Sequence, residues 1–271
     1  MKRSNGKRNV IIVGGHDQAC WILENLIEKN YCNVSLCIVR KDDSGKDGIF
    51  PSLLMRARQY NIPTLQPENL NSPELLSSVG KISPDIVLSL QNNRIFGDGW
   101  IDLMNSKLGI VNVHYAPLPK YGGYWPEMWA IWNNEKKFAV TIHYVEKGLD
   151  TGPIIMQKWF KIDPQETRQT LYNKSSHECF HLLTENLENL FKSKMKSQEQ
   201  NKLERTYFPK ALPNDGFLDL TWDAEKQNRF FRAISYPGFP GPKIKIGDQV
   251  LTTVCEDIPF YTHLDTISNS S

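Results

Sequence analysis

Asn112 and His114 stand two residues apart in the run IVNVH, residues 110–114. Side chains two apart on a strand share a face, so an amide and an imidazole project together from this run. An amide N–H can hold an oxyanion, and an imidazole moves protons near neutral pH. What the run lacks is a carboxylate to orient the imidazole and balance its charge. Asp150 can supply one from the loop EKGLDTG, where Gly148 and Gly152 let the backbone turn tightly and approach a ligand. On residue types alone the pattern is weak, and a plain strand followed by a plain turn is the commoner reading.

Between these groups lies PLPKYGGYWPEMWAIWN, with Gly122 and Gly123 adjacent and three tryptophans within eight residues. Trp125 follows the glycine pair after Tyr124, and a flat apolar surface beside the chemistry suits a sugar face or a base. Trp129 and Trp132 lie four and seven residues further on. That is helical spacing, so they read as the packed side of a helix.

The elements that must position these groups follow an α/β pattern. Val10–Val13 is a short apolar run. The loop GGHDQA follows, and then a helix with Ala19, Ile22, Leu23 and Leu26 on one face. The apolar run 34–39 completes β-loop-α-β, the opening of a parallel sheet. A helix over SLLMRARQYNI, a short extended piece PTLQP and a helix capped by Asn71 or Ser72 with Pro73 at its start come next. Residues 85–90 read as a third strand, GWIDLMNS as a short helix, 110–114 as a fourth strand, and 139–145 and 153–162 as alternating strands. Asp163, Pro164 and Glu166 open a long helix reaching about Lys194, with Leu171, Cys179, Leu183, Leu187, Leu190 and Phe191 among its apolar line. A charged hinge, KSKMKSQEQNKLER, separates this from a Gly- and Pro-punctuated region with one helix near Asp223–Ile234 and strand candidates over 243–251. The expected division is a Rossmann-like α/β domain with a parallel-dominated sheet over 1–203, and a small β-rich appendage over 204–271.

Bulk properties fit a globular chain. Of 271 residues, 40% are apolar and 23% charged, and the formal net charge is +2. That balance does not announce nucleic-acid binding. The five cysteines (20, 32, 37, 179 and 255) form no CxxC pair and are odd in number, which reads as reduced thiols in a cytoplasmic protein, without metal or disulfide roles. The basic start MKRSNGKRN leads only into VIIV, too short for a signal-peptide core, and no run approaches the ~18 apolar residues of a membrane span. The first loop, at a strand end and a helix start, could hold phosphate on backbone N–H groups, with His16 beside it. It lacks a full GxGxxG, so a dinucleotide site is not supported.

VNVHYAPLPKYGG followed by VTIHYVEKGLDTGPII resembles the signature of the folate-dependent formyltransferases. In that family an Asn-x-His strand precedes an LLP-x-[YFW]-[RK]-G loop, and the Asp of a [DE]-x-G-[LIM]-D-[TE]-G loop completes the site. Asn112, His114, Pro119, Gly123, Asp150 and Gly152 match in order, over about residues 8–200. Gly122 departs, standing where many members carry Arg or Lys.

The resemblance implies an N10-formyltetrahydrofolate donor. Asn112 and protonated His114 would hold the oxyanion, Asp150 would hold His114, and no metal would be needed. It also places the pterin against Arg94, Ile95 and Phe96, with Tyr144, Lys147 and Asp150 forming the other wall. Among acceptors, the stretch PKYGGYWPEMWAIWN resembles the sugar N-formyltransferases. That implies a nucleotide-linked amino-dideoxysugar, most simply dTDP-linked and destined for surface polysaccharide. His16, Lys120, Tyr121 and Trp125 are the substrate-binding candidates, while Tyr236 and Phe239 would lie against the base or a partner subunit. Homodimers are common in this class, and neither nucleic acid nor membrane is an expected partner. The methionyl-tRNA and glycinamide ribonucleotide formyltransferases, and a non-catalytic folate-binding relative, are the alternatives.

Overall fold

The computed structural model describes residues 7–254; Cys255, Phe260, Tyr261 and the polar tail lie outside them. The chain divides into two compact units, one running to Arg94 and one from Ile95 onward.

The first unit contains β1 (Asn9–Gly14), α1 (His16–Lys29), β2 (Asn33–Val39), α2 (Leu53–Gln59), β3 (Thr64–Leu65), α3 (Pro73–Ile82) and β4 (Ile86–Leu90). Its strands lie in the order β3-β2-β1-β4, all parallel. Val10–Val13, Leu36–Val39 and Ile86–Leu88 are buried. Such continuous apolar runs are what strands covered on both faces require. Local chemistry sets the helix starts. Ser52 accepts from the Met55 N–H, and Ser72 accepts from the Leu75 N–H with Pro73 behind it.

The second unit contains α4 (Asp98–Met104), β5 (Ile110–His114), β6 (Gly122–Gly123), α5 (Pro126–Trp132), β7 (Lys137–Tyr144), β8 (Ile154–Lys161), α6 (Arg168–Thr184), α7 (Leu187–Lys192), β9 (Tyr207–Phe208), α8 (Ala224–Ile234), β10 (Pro240–Ile246) and β11 (Gln249–Val254). Here β5, β7 and β8 pair antiparallel. The core of this unit gathers Tyr121, Met128, Ile131, Phe138, Leu171 and Ala233. Trp129 stacks on Phe208, and Trp132 packs on Trp222 and Phe230, so both take the packing role their helical spacing implies. The helix expected over 163–194 starts later and breaks. Thr167 and Thr170 form a reciprocal cap at Arg168. At the other end Thr184 Oγ1 donates to the Phe180 and His181 carbonyls and Asn186 Nδ2 donates to the Leu182 carbonyl, so side chains take the last turn's acceptors and the chain restarts as α7. The C-terminal strands β10 and β11 form a small antiparallel pair, as the α/β-plus-appendage reading anticipates.

Candidate active site

Antiparallel pairing of β5 with β7 sets Asn112 directly opposite His143, and His114 opposite Thr141. The cross-strand neighbours touch: Asn112 Nδ2 lies 3.0 Å from His143 Nε2. His143 Nδ1 lies 2.8 Å from the Tyr144 carbonyl, which can only accept, so Nδ1 carries the hydrogen and Nε2 accepts from the amide. Burial, opposed by Asp150 and assisted by the nearby His114, pushes the His143 imidazole down to about 4. The ring is therefore neutral near pH 7. It fixes which way the Asn112 amide faces and leaves the second amide N–H free.

His114 is held from the loop. Its Nε2 lies 3.0 Å from the Tyr121 carbonyl, so this nitrogen donates and Nδ1 is the ring edge turned to Asp150, whose Oδ1 is 3.9 Å away. Asp150 Oδ1 is also 3.9 Å from His143 Nε2, while its Oδ2 accepts from the Gly123 N–H at 3.0 Å. One carboxylate thus faces both imidazoles and pins the glycine loop.

The two loops are fixed by backbone. Gly122 and Gly123 pair in parallel with Tyr207 and Phe208. At Gly123, φ is +99°, and a Cβ there would sit 2.3 Å from the Phe208 carbonyl oxygen. Asp150 itself has φ +53°, unusual for a residue with a side chain. Its conformation is held from the hinge: Gln200 Nε2 donates to the Asp150 and Gly152 carbonyls at 2.8 and 2.7 Å, and Arg205 Nη2 donates to the Leu149 carbonyl. Behind the proline loop, Thr141 and Gln157 bond to the carbonyls of Ala116 and Leu118.

The other anticipated residues fall in different places. The Tyr121 side chain is buried in the core with its phenol donating to Glu135, so what it offers the cluster is its carbonyl. Lys120 is exposed. Tyr144 is buried and its hydroxyl accepts from the Met195 N–H at 2.8 Å. Lys147 is exposed and pairs with Asp98. Ile95 is exposed, and Phe96 is buried edge-on to Trp100. The Arg94 guanidinium donates to the Pro67 and Val39 carbonyls, its backbone N–H donates to Asn92 Oδ1, and its carbonyl accepts from Asn92 Nδ2, so only the second lone pair of that carbonyl is open to a ligand. In the first unit His16 stacks on Phe50 with ring centroids 3.8 Å apart, in a cleft of about 220 Å³ shared with Arg40, Asp42 and Lys46. Burial and the Arg40 charge push His16 down to about 3, so it brings no positive charge to a phosphate. Trp125, Tyr236 and Phe239 come together around Arg168, at the start of α6. Cys20, Cys32, Cys37 and Cys179 are buried and are not in disulfides. Among the described residues no His, Cys, Asp and Glu side chains group as a metal site, and no helix is long and apolar enough to cross a membrane.

An amide donor, an imidazole and a carboxylate brought together on an α/β fold are the kinds of group that transfer of a carbonyl-bearing group calls on. Comparison supplies the family. The formyl transferase family profile matches residues 7–187, two thirds of the chain, and the chain belongs to that family. The methionyl-tRNA formyltransferase of Thermotoga maritima is 32% identical over 242 residues, 88% of this chain and 76% of that protein. The bifunctional polymyxin resistance protein ArnA of Wigglesworthia glossinidia brevipalpis is 29% identical over 86% of this chain, which spans only 35% of ArnA. The crystal structure of the Helicobacter canadensis N-formyltransferase, in complex with folinic acid and dTDP-3-aminofucose, superposes with a TM-score of 0.65 at 23% identity. It covers 83% of this chain and 79% of its own. At that identity the likeness speaks to the fold.

Sequence reasoning missed His143. Its signal is the register Asn112 opposite His143, which no local pattern contains. We expect His143→Leu to lower kcat about tenfold, because the Asn112 amide loses its fixed orientation, while both KM values stay put. A change in KM alone would contradict this. The same residue predicts an acid-sensitive fold. The unfolded chain takes the proton near 6.5 and the folded chain only near 4, so stability is intact above 6.5 and falls as pH drops toward 4. The fall due to this group is roughly 3 kcal/mol, and unfolding midpoints measured from pH 7 to pH 4 should show a shallower slope in His143→Leu.

Proposed function

We propose that the protein transfers the formyl group of N10-formyltetrahydrofolate to the amine of a nucleotide-linked amino-dideoxysugar. The supporting observation is the convergence of Asn112, His114 and Asp150, with the Asn112 amide oriented by His143. The neutral amine adds to the formyl carbon, and the carbonyl electron pair moves onto oxygen. The free N–H of Asn112 stabilises that oxyanion. His114 Nδ1 takes the proton the amine releases, while Asp150 balances the imidazolium. The oxyanion then collapses, the bond from carbon to N10 breaks, and N10 takes the proton. The products are the formamide and tetrahydrofolate. In this arrangement the oxyanion role falls mainly to Asn112, because His114 Nε2 is committed to the Tyr121 carbonyl.

On this reading the pterin lies against the backbone of Arg94, Ile95 and Phe96 and the loop from Tyr144 through Lys147 to Asp150. We also propose a division into a catalytic domain over 1–203 and a subdomain over 204–271, a homodimer, and a cytoplasmic role in surface-polysaccharide synthesis. The sugar class is supported by the sequence stretch around Trp125 and by the dTDP-3-aminofucose complex of the Helicobacter canadensis protein.

A second reading, formylation of charged initiator tRNA, is favoured by the 32% identity to the Thermotoga enzyme. Against it stands the balanced charge of +2, since RNA binding draws on clustered cations. Paired assays with initiator methionyl-tRNA and with amino-sugar nucleotides separate the two. The sugar reading expects kcat/KM at least ~10³-fold higher for a sugar nucleotide, a margin of the size that a matched polar site gives over a mismatched one. Comparable rates on tRNA would overturn it.

A further inference from the structure

Arg168 is 5% exposed, and its Nε lies 3.4 Å from Oε1 of Glu127, which is also 5% exposed. Three rings surround the guanidinium: its central carbon is 4.6 Å from the Tyr236 ring centroid, 5.2 Å from Trp125 and 5.8 Å from Phe239. Among the described residues the two Nη nitrogens make no hydrogen bond. A buried Arg–Glu pair is no better for stability than apolar residues of the same volume. An arginine that spends only Nε, and keeps its terminal fork in place between aromatic faces, is therefore built to receive something. A planar fork of N–H donors matches the oxygens of a phosphate. Contact with ring faces restricts where the fork can lie.

The cage is tied to the candidate active site by one short loop. Gly123 N–H is bonded to Asp150, and Trp125 follows two residues later with φ +51°, a left-handed conformation that a bulky residue rarely adopts. Two residues span at most about 7 Å. A ligand touching both ends of this loop is elongated, with an amine at one end and an anion further along.

We propose that Arg168 receives the diphosphate of the nucleotide-linked acceptor, with Glu127 orienting the fork and Trp125, Tyr236 and Phe239 framing it. This inference rests on the sugar-nucleotide reading above. It assigns nucleotide recognition to a residue outside every motif in the sequence.

The test is calorimetric binding of TDP and UDP to the full chain. Three forms are compared: wild type, Arg168→Lys, and Arg168→Gln combined with Glu127→Gln, which removes both buried charges together. Folinic acid binding and the unfolding midpoint report an intact fold. The double variant should bind the preferred diphosphate at least ~30-fold more weakly, the size expected when hydrogen bonds to a charged group are lost. Arg168→Lys, which keeps the charge but loses the fork, should weaken binding about tenfold. In both, folinic acid binding should be unchanged. Diphosphate affinity within twofold of wild type in the folded double variant would make Arg168 a packing residue and leave the acceptor reading standing. If the double variant does not fold, Arg168→Lys decides by the same criterion. Wild type binding neither diphosphate at millimolar concentration would remove the acceptor reading and this assignment together.

Discussion

Replacing His114 by asparagine or Asp150 by asparagine is expected to lower kcat by at least ~10²-fold, the usual size for loss of a proton-transfer group or its charge partner. The two variants remove different things. His114→Asn takes away the proton carrier. Asp150→Asn keeps an oxygen that can still accept from the Gly123 N–H, so the glycine loop stays pinned and only the negative charge 3.9 Å from His114 Nδ1 is lost. Both side chains are about a tenth exposed and border the cluster, so unfolding midpoints should move little. Single-turnover measurement of donor consumption checks this, and near-wild-type turnover in either folded variant would remove the residue from the chemistry.

Gly152→Ala should be as damaging by another route. A Cβ at Gly152 would lie 1.9 Å from the Tyr144 carbonyl oxygen and 2.8 Å from its carbon, both backbone atoms. The strand end or the loop must then shift. Relief also breaks the bond from Gln200 to the Gly152 carbonyl. Destabilisation of about 3 kcal/mol or more is expected. Because Asp150 lies two residues away, a displacement near 1 Å should also cut kcat by about 10²-fold. Gly48→Ala provides the contrast, since nothing lies within 4 Å of its added carbon. Its stability should stay within about 0.5 kcal/mol of wild type. Chemical denaturation of the two variants measures the difference, and equal stability would show that the Tyr144–Gly152 contact is readily relaxed.

Where short-range chemistry decides, the sequence is a good guide. The buried parallel strands around Val10–Val13 and Ile86–Leu90 announce themselves as apolar runs, and Ser72 with Pro73 marks its helix start through local capping geometry. Asn112 and His114 share a face because strand periodicity requires it. What stayed hidden depends on long-range register. His143 meets Asn112 only because β5 and β7 pair as they do. Gly122 and Gly123 pair with residues 207 and 208 across more than eighty positions. Arg168 gathers rings from residues 125, 236 and 239. The break between α6 and α7 was missed for a local reason: Thr184 and Asn186 compete for helix carbonyls, while the apolar line runs straight through them.

The central claim is formyl transfer from a folate donor to an amino-sugar nucleotide through the Asn112 cluster. Its most direct test is incubation of the full chain with N10-formyltetrahydrofolate and a set of dTDP- and UDP-linked amino sugars, each product read by mass spectrometry. The account predicts that one sugar nucleotide gains the mass of a single formyl group, with stoichiometric release of tetrahydrofolate, and that both signals vanish in Asp150→Asn. Donor turnover that leaves every sugar nucleotide unformylated while initiator methionyl-tRNA becomes formylated would contradict it.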